Sequence, residues 1–261
     1  MSRNIKSDTI VVKIGTSSLT YENGKMNYRR IEKLVRVLSD LKNTGKNVVL
    51  VSSGAISVGV NRLNLPGRPV KLMDKQATAA VGQCQLMSLY ERFFMQYGHD
   101  VAQILLTKYT IDNEKSRFNA KNTFSALLNM SIVPVINEND VIATEEIEFG
   151  DNDTLSAYVA ELVGADLLII MTDIDGFYDK NPKTNSDAKL ITEIHEINDD
   201  LKERAGGAGT IRGTGGMITK LLAAEIAQKS DINTVILNGD DPEIIYDAVE
   251  GKDVGTMIYC K

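Results

Sequence analysis

Thr9-Ile10-Val11-Val12-Lys13-Ile14-Gly15-Thr16-Ser17-Ser18 is the stretch whose reading decides the fold. Its first six residues are almost continuously apolar and β-branched. A strand with one wet face alternates polar and apolar residues. An unbroken run such as this one suits a parallel strand covered by helices on both faces. Gly15 then lets the chain turn sharply, and the amides and small hydroxyls that follow can form an anion nest. Lys13 is the odd residue. Inside a buried strand, its ammonium either snorkels to water along its alkyl stem or points at an anionic ligand.

Comparable runs recur at residues 47–52, 101–106, 132–136, 167–171 and 234–237. Helical patterns lie between them. Residues 28–43 place Ile31, Leu34, Val35, Leu38 and Leu41 on one face, and residues 71–97, 113–128 and 154–163 follow. This alternation predicts an α/β fold: a three-layer αβα sandwich with a mainly parallel central sheet, formed as a single domain over residues 1–261. Pro66-Gly67-Arg68-Pro69 marks a loop, and residues 58–70 are expected to be loop altogether. In such sheets ligands bind outside the carboxyl ends of the strands, so the residues after each strand are the candidates for function.

The second run ends in Ser52-Ser53-Gly54-Ala55, again small hydroxyls and a glycine before a helix. The fourth ends in Asn137-Glu138-Asn139-Asp140, a polar rim suited to a small ligand. Further on stands Gly150-Asp151-Asn152-Asp153 at the start of a helix. One residue of Asp151-Asn152-Asp153, either Asp151 or Asn152, is enough for an N-cap, so a carboxylate is left over and wants a cation. The ligand spacing of a calcium loop is missing, and a pair of lysines suits better. The fifth run ends in Thr172-Asp173, placed for nucleotide contact. Last comes Gly213-Thr214-Gly215-Gly216-Met217-Ile218-Thr219-Lys220, a glycine-rich loop opening a helix. It differs from a Walker A loop, in which lysine directly follows the last glycine.

The composition excludes several classes. The formal net charge is −6 and the pI about 5.1, which argues against a nucleic-acid surface. Anionic substrates must then be drawn in by local cations. The two cysteines, Cys84 and Cys260, form no Cys-x-x-Cys pair, which fits a reducing cytoplasm. No apolar run approaches the roughly 20 residues of a membrane span. His99 and His195 have no metal-ligand spacing.

The segments VVKIGTSSLT, VSSGAISVG, VPVINENDVIA, FGDNDTLSA, MTDIDGFYDKNP and GTGGMITK, in this order, resemble the amino acid kinase family. The resemblance runs from about residue 9 to about residue 258. Within the family they are most similar to members that phosphorylate the γ-carboxylate of L-glutamate on the way to proline. The segments 137–140 and 151–153 set the chain apart from relatives acting on acetylglutamate, aspartate, carbamate or UMP.

The resemblance implies ATP as phosphoryl donor, with Mg²⁺ held mainly through the ATP phosphates and no metal site of the protein's own. It assigns Lys13 and Lys220 to catalysis, and charge complementarity adds Asp153 as the residue holding both ammonium groups. Ser53, Asp140 and Asn152 fall on glutamate-binding positions. Lys13, Gly15, Thr172, Asp173, Thr214, Gly215, Gly216, Met217, Ile218, Thr219 and Lys220 fall on ATP-binding ones. The N-terminal part would then hold mainly the amino acid and the C-terminal part mainly ATP. The resemblance further implies a homo-oligomer, proline as feedback inhibitor and glutamyl phosphate reductase as a partner. Many bacterial relatives also carry a C-terminal PUA domain, and this chain is expected to be the kinase domain alone.

Overall fold

The computed structural model describes residues 3, 5–21, 23–142, 152–182, 184–206 and 216–260. In chain order its elements are β1 (Thr9–Ile14), α1 (Thr16–Leu19), α2 (Tyr28–Asn43), β2 (Asn47–Val51), α3 (Ala55–Arg62), α4 (Leu72–Gln96), β3 (Val101–Leu106), α5 (Lys108–Asp112), α6 (Glu114–Asn129) and β4 (Val133–Glu138). They continue with α7 (Asn152–Val163), β5 (Leu167–Thr172), β6 (Phe177–Tyr178), β7 (Leu190–Ile191), β8 (Glu193–Ile194), α8 (Asp199–Gly206), α9 (Met217–Gln228), β9 (Asn233–Asn238), α10 (Ile244–Val249) and β10 (Thr256–Ile258). All six expected strands are present, each within two residues of its expected bounds.

The main sheet has the order β3-β4-β2-β1-β5-β9-β10-β8. From β3 to β9 every pairing is parallel, and only β10 runs antiparallel to its neighbour β9. Parallel pairing gathers the carboxyl ends of β1, β2, β4, β5 and β9 along one edge. Register holds them level: Lys13 lies beside Val51 and Ile170, Val51 beside Ile136, and Thr172 beside Asn238.

Alternation within the strands assigns each side chain to a layer. Ile10, Val12 and Ile14 join a core with α2 and α4, including Leu34, Leu38, Leu86 and Tyr90. Val11 joins the opposite core, with Leu155 and Val159 of α7 and Ala223 and Ala227 of α9. Lys13, two residues on from Val11, shares that second side.

Two differences from expectation stand out. The stretch 58–70 is not all loop, because α3 continues through Arg62. Gly59, inside the stretch expected to be loop, is a packing residue of that helix. A Cβ on Gly59 would lie 2.0 Å from the Thr78 carbonyl oxygen, and one on Gly82 would lie 1.8 Å from that of Ala55. Thus α3 and α4 cross at a distance only glycine permits. The short strands β6, β7 and β8 were also unforeseen, since two residues are too few to show a period.

The crossing makes a firm prediction. Gly82→Ala should lower stability by about 1–3 kcal/mol, the usual cost of overpacking, read as the urea midpoint. An unchanged midpoint would mean the helices can part freely.

Among the described residues, no helix is long and apolar enough to cross a membrane. Cys84 and Cys260 are free thiols. His99 Nε2 lies 3.2 Å from the Ser39 carbonyl oxygen, and His195 stacks on Tyr259.

Candidate active site

Lys13 leaves β1 on the side covered by α7 and α9, and there it meets Asp153 in the first turn of α7. Its Nζ lies 2.6 Å from Asp153 Oδ1. Lys220, in the first turn of α9, places its Nζ 3.0 Å from Asp153 Oδ2. The Thr219 hydroxyl lies 2.9 Å from the same oxygen. The carboxylate therefore bridges two ammonium groups supplied by elements more than 200 residues apart in the chain. Asp153 is fully buried, and both lysines are nearly so. Burial opposes its charge, but Lys13 and Lys220 outweigh that and hold its carboxyl well below the ordinary carboxylate range. Two positive groups against one negative leave the triad one charge positive, which suits an anionic ligand.

The α9 end of the triad is well built. Gly216 caps the helix in an extended conformation. Its N–H donates to Thr219 Oγ1 at 3.3 Å, and its carbonyl lies 2.8 Å from the same hydroxyl. Lys220 Nζ also approaches that carbonyl, at 3.4 Å. Helix N-termini of this kind offer amide donors to phosphate. Met217 and Ile218 occupy the same first turn. Thr214, Gly215 and Asp151 lie outside the described residues.

Beside this turn opens a cleft of about 580 Å³. Asp173, Phe177, Tyr178, Gly216 and Met217 line it, with the basic side chains of Lys180 and Arg204. Thr172 ends β5, with its hydroxyl 3.2 Å from Asp173 Oδ1 and its carbonyl accepting from Gly239 N–H at 2.7 Å. Gly15 precedes the single turn of α1 and lies on the Lys13 side, where an added Cβ would stand 3.8 Å from its Nζ. The sequence pointed to Asp173 and Met217. It gave no reason to choose Lys180 and Arg204, whose neighbours in the chain are ordinary surface residues.

On the other flank of the triad lies a polar cluster at the ends of β2 and β4. Asn152 Nδ2 stands 2.7 Å from the Ser52 carbonyl, 2.9 Å from Ser53 Oγ and 2.8 Å from Asn137 Oδ1. Asn137 Nδ2 donates to Gln83 Oε1 of α4 at 2.8 Å. The Ser52 hydroxyl pairs with that of Tyr90, also on α4, at 2.9 Å. Asp140 stands half-buried in the turn after β4. Ser53 and Asn152 are thus in direct contact. Gln83 and Tyr90 escaped the sequence reading. The available signal was position: both sit on the core-facing stripe of α4 that Leu86 and Phe94 define, where a polar side chain needs a partner.

Among the described residues, no three His, Cys, Asp or Glu side chains gather to hold a metal ion.

The chain is similar to known proteins over nearly its whole length. A glutamate 5-kinase of Clostridium perfringens is 55% identical over 259 residues, covering 98% of this chain and 96% of that one. Another, of Enterococcus faecalis, is 51% identical over 252 residues, covering 95% and 93%. Solved structures share the fold at lower identity. An isopentenyl phosphate kinase in a substrate complex has a TM-score of 0.68 at 20% identity, covering 96% of this chain and 99% of that one. The UMP kinase of Bacillus anthracis has 0.66 at 16%, covering 98% and 97%. The sequence pattern described as the amino acid kinase family matches residues 8–238. That span runs from β1, which carries Lys13, to the end of β9, and with its relatives on either side the chain belongs to the amino acid kinase family.

Proposed function

We propose that the chain transfers the terminal phosphoryl group of ATP to the γ-carboxylate of L-glutamate, releasing ADP and γ-glutamyl phosphate as the first step towards proline. The observation that carries this reading is the Lys13–Asp153–Lys220 bridge, set between a large cleft and a small polar cluster. The relatives named glutamate 5-kinase, identical at half their positions or more, support the choice of acceptor.

The chemistry suits the residues. A glutamate side chain has an unperturbed pKa of about 4.3 and is already ionised at neutral pH. One of its oxygens attacks the γ-phosphorus, the bond from that phosphorus to the β–γ bridging oxygen breaks, and ADP leaves. No proton need be removed from the nucleophile. The obstacle is electrostatic, since an anion approaches an anion and charge spreads over the transferring oxygens. Fixed cations answer this without reorganising. Lys220 adjoins Gly216, which lines the cleft, and in this reading the Gly216 turn and the start of α9 receive phosphates. Lys13 rises from the central strand nearer the acceptor. Asp153 fixes both in place.

The N-terminal part, through β4, then serves mainly the amino acid, and the part from β5 onward mainly ATP. Thr172, Asp173 and residues 214–220 belong to the nucleotide side, with Lys180 and Arg204 as further cations. Both oxygens of Asp153 are committed to lysines, so these residues fit a Mg²⁺ ion carried on the phosphates better than one caged by protein ligands. When bound, that ion supplies further charge neutralisation on the triphosphate.

Asp140 is the partner for the α-ammonium of glutamate. Asp140→Ala should raise the KM for glutamate by about ten- to a hundredfold, as expected for losing a charge-assisted hydrogen bond. A folded variant with KM within twofold of the parent would remove Asp140 from the site. Proline shares the α-amino and α-carboxylate groups and should compete with glutamate there. The exposed Met73 and Val81 of α4 favour assembly as a homo-oligomer, and glutamyl phosphate reductase would consume the acyl phosphate.

The test is ADP release from Mg-ATP with L-glutamate, N-acetylglutamate, L-aspartate or UMP, with hydroxylamine trapping any acyl phosphate. Glutamate-dependent ADP with matching γ-glutamyl hydroxamate is the expected result. Turnover with a different acceptor alone would overturn the substrate assignment and leave the phosphate side standing.

A further inference from the structure

We infer that Gln83 of α4 is a positioning residue for the acceptor site, and that through Asn137 and Asn152 it sets the site's preference for a substrate bearing an α-ammonium group. The inference rests on glutamate being the acceptor. What it adds is a residue that touches neither substrate nor nucleotide.

An amide side chain has a donor end and an acceptor end, and its orientation has to be inferred from its neighbours. Here two backbone groups of fixed polarity decide every orientation. The Glu138 N–H can only donate, and it meets Asn137 at 2.9 Å. That end of Asn137 is therefore the oxygen, and its NH₂ faces Gln83, which must present its own oxygen at 2.8 Å. The Ser52 carbonyl can only accept, and it meets Asn152 at 2.7 Å. That end of Asn152 is therefore the NH₂, and Asn137 Oδ1 at 2.8 Å agrees. The chain of bonds has one consistent direction, from Asn152 to Asn137 to Gln83.

The consequence appears at Asn152. Its two amide hydrogens are shared among three protein acceptors at the ends of β2 and β4. With its NH₂ engaged there, the end of Asn152 left to offer a ligand is its carbonyl oxygen, an acceptor. An acceptor suits an ammonium and repels a carboxylate. Ser53 Oγ is an acceptor for Asn152, which leaves its hydroxyl hydrogen to be offered elsewhere, as suits a carboxylate. The cluster thereby distinguishes the two ends of an amino acid's zwitterion.

Gln83 anchors this direction from below. It is buried, on a helix that Gly59 and Gly82 hold tightly against α3. Without its oxygen, Asn137 Nδ2 loses its buried partner. Asn137 is then held only by the Glu138 N–H and by Asn152, so the acceptor that Asn152 shows the ligand is less firmly placed.

The test compares L-glutamate with glutarate, which has the same carboxylates and no α-ammonium. Gln83→Met keeps length and helix propensity but removes the acceptor. It should raise the KM for L-glutamate about ten- to a hundredfold, with the KM for ATP and the turnover of glutarate within twofold of the parent. The preference for glutamate over glutarate should fall by the same factor. Gln83→Glu retains an oxygen acceptor and should keep the preference within threefold. An unchanged preference in folded Gln83→Met overturns the inference. So does an equal loss for glutamate, glutarate and ATP, the signature of general disruption. Should Gln83→Met fail to fold, a folded Gln83→Glu that has lost the preference overturns it instead. Absence of any glutamate turnover by the unchanged protein would overturn the acceptor assignment and this inference together, which separates the two failures.

Discussion

Lys220→Met is expected to lower kcat about 10²- to 10³-fold, with the protein still folded. The lysine is buried against Asp153 at 3.0 Å and approaches the carbonyl of Gly216, which lines the cleft; in the proposed reaction, charge leaves there with ADP. Methionine fills similar volume without charge. The loss corresponds to roughly 3–4 kcal/mol of transition-state stabilisation, the usual cost of removing one preorganised donor. The KM for ATP should change far less than kcat, because an interaction that strengthens in the transition state is lost mostly from kcat. Lys13→Met should behave alike, since its ammonium faces the same carboxylate from β1 at 2.6 Å. Steady-state kinetics with a circular-dichroism melt check both. A kcat within threefold of the parent would make Lys220 a structural counter-ion only.

Asp153→Asn should carry the largest stability effect. The parent carboxylate has no exposed surface and neutralises one of two buried ammonium groups. Asparagine leaves both charges buried without a counter-ion, and breaking a buried pair in this way costs about 3–5 kcal/mol. The pH dependence follows from the same contacts. Burial works against the Asp153 charge, but Lys13 and Lys220 prevail, so the folded carboxyl titrates below its ordinary value of 3.8. A carboxyl depressed in the folded state contributes stability that is present above its unfolded pKa. That contribution is lost as the pH falls through 3.8 towards the folded value. The gap in urea midpoint between parent and variant should therefore be full at pH 7 and narrow below about pH 4. A gap that stays constant down to pH 3 would mean that the triad is not what holds Asp153 ionised.

The sequence by itself determined the layered fold. Buried strands such as residues 9–14 and 167–171 carry their environment in their composition, because a strand covered on both faces tolerates few polar residues. The surplus carboxylate beside Asn152 and the lysine in β1 were likewise legible, each being more charge than its local structure needs. Elements set by contact rather than period were not. The packing role of Gly59 shows only once α4 is laid across it, and two-residue strands have no pattern to show.

Only the tertiary structure decided which charges meet. Lys13, Asp153 and Lys220 are separated by 140 and 67 positions in the sequence, and local propensity cannot say that β1, α7 and α9 share one side of the sheet. Strand alternation and parallel register decide that together, placing Lys13 with Val11 on the α7 side and Asn137 with Val135 on the α4 side. The direction of the Asn152–Asn137–Gln83 chain is beyond any sequence reading, because a side-chain amide is read as donor or acceptor only once the backbone groups around it are in place.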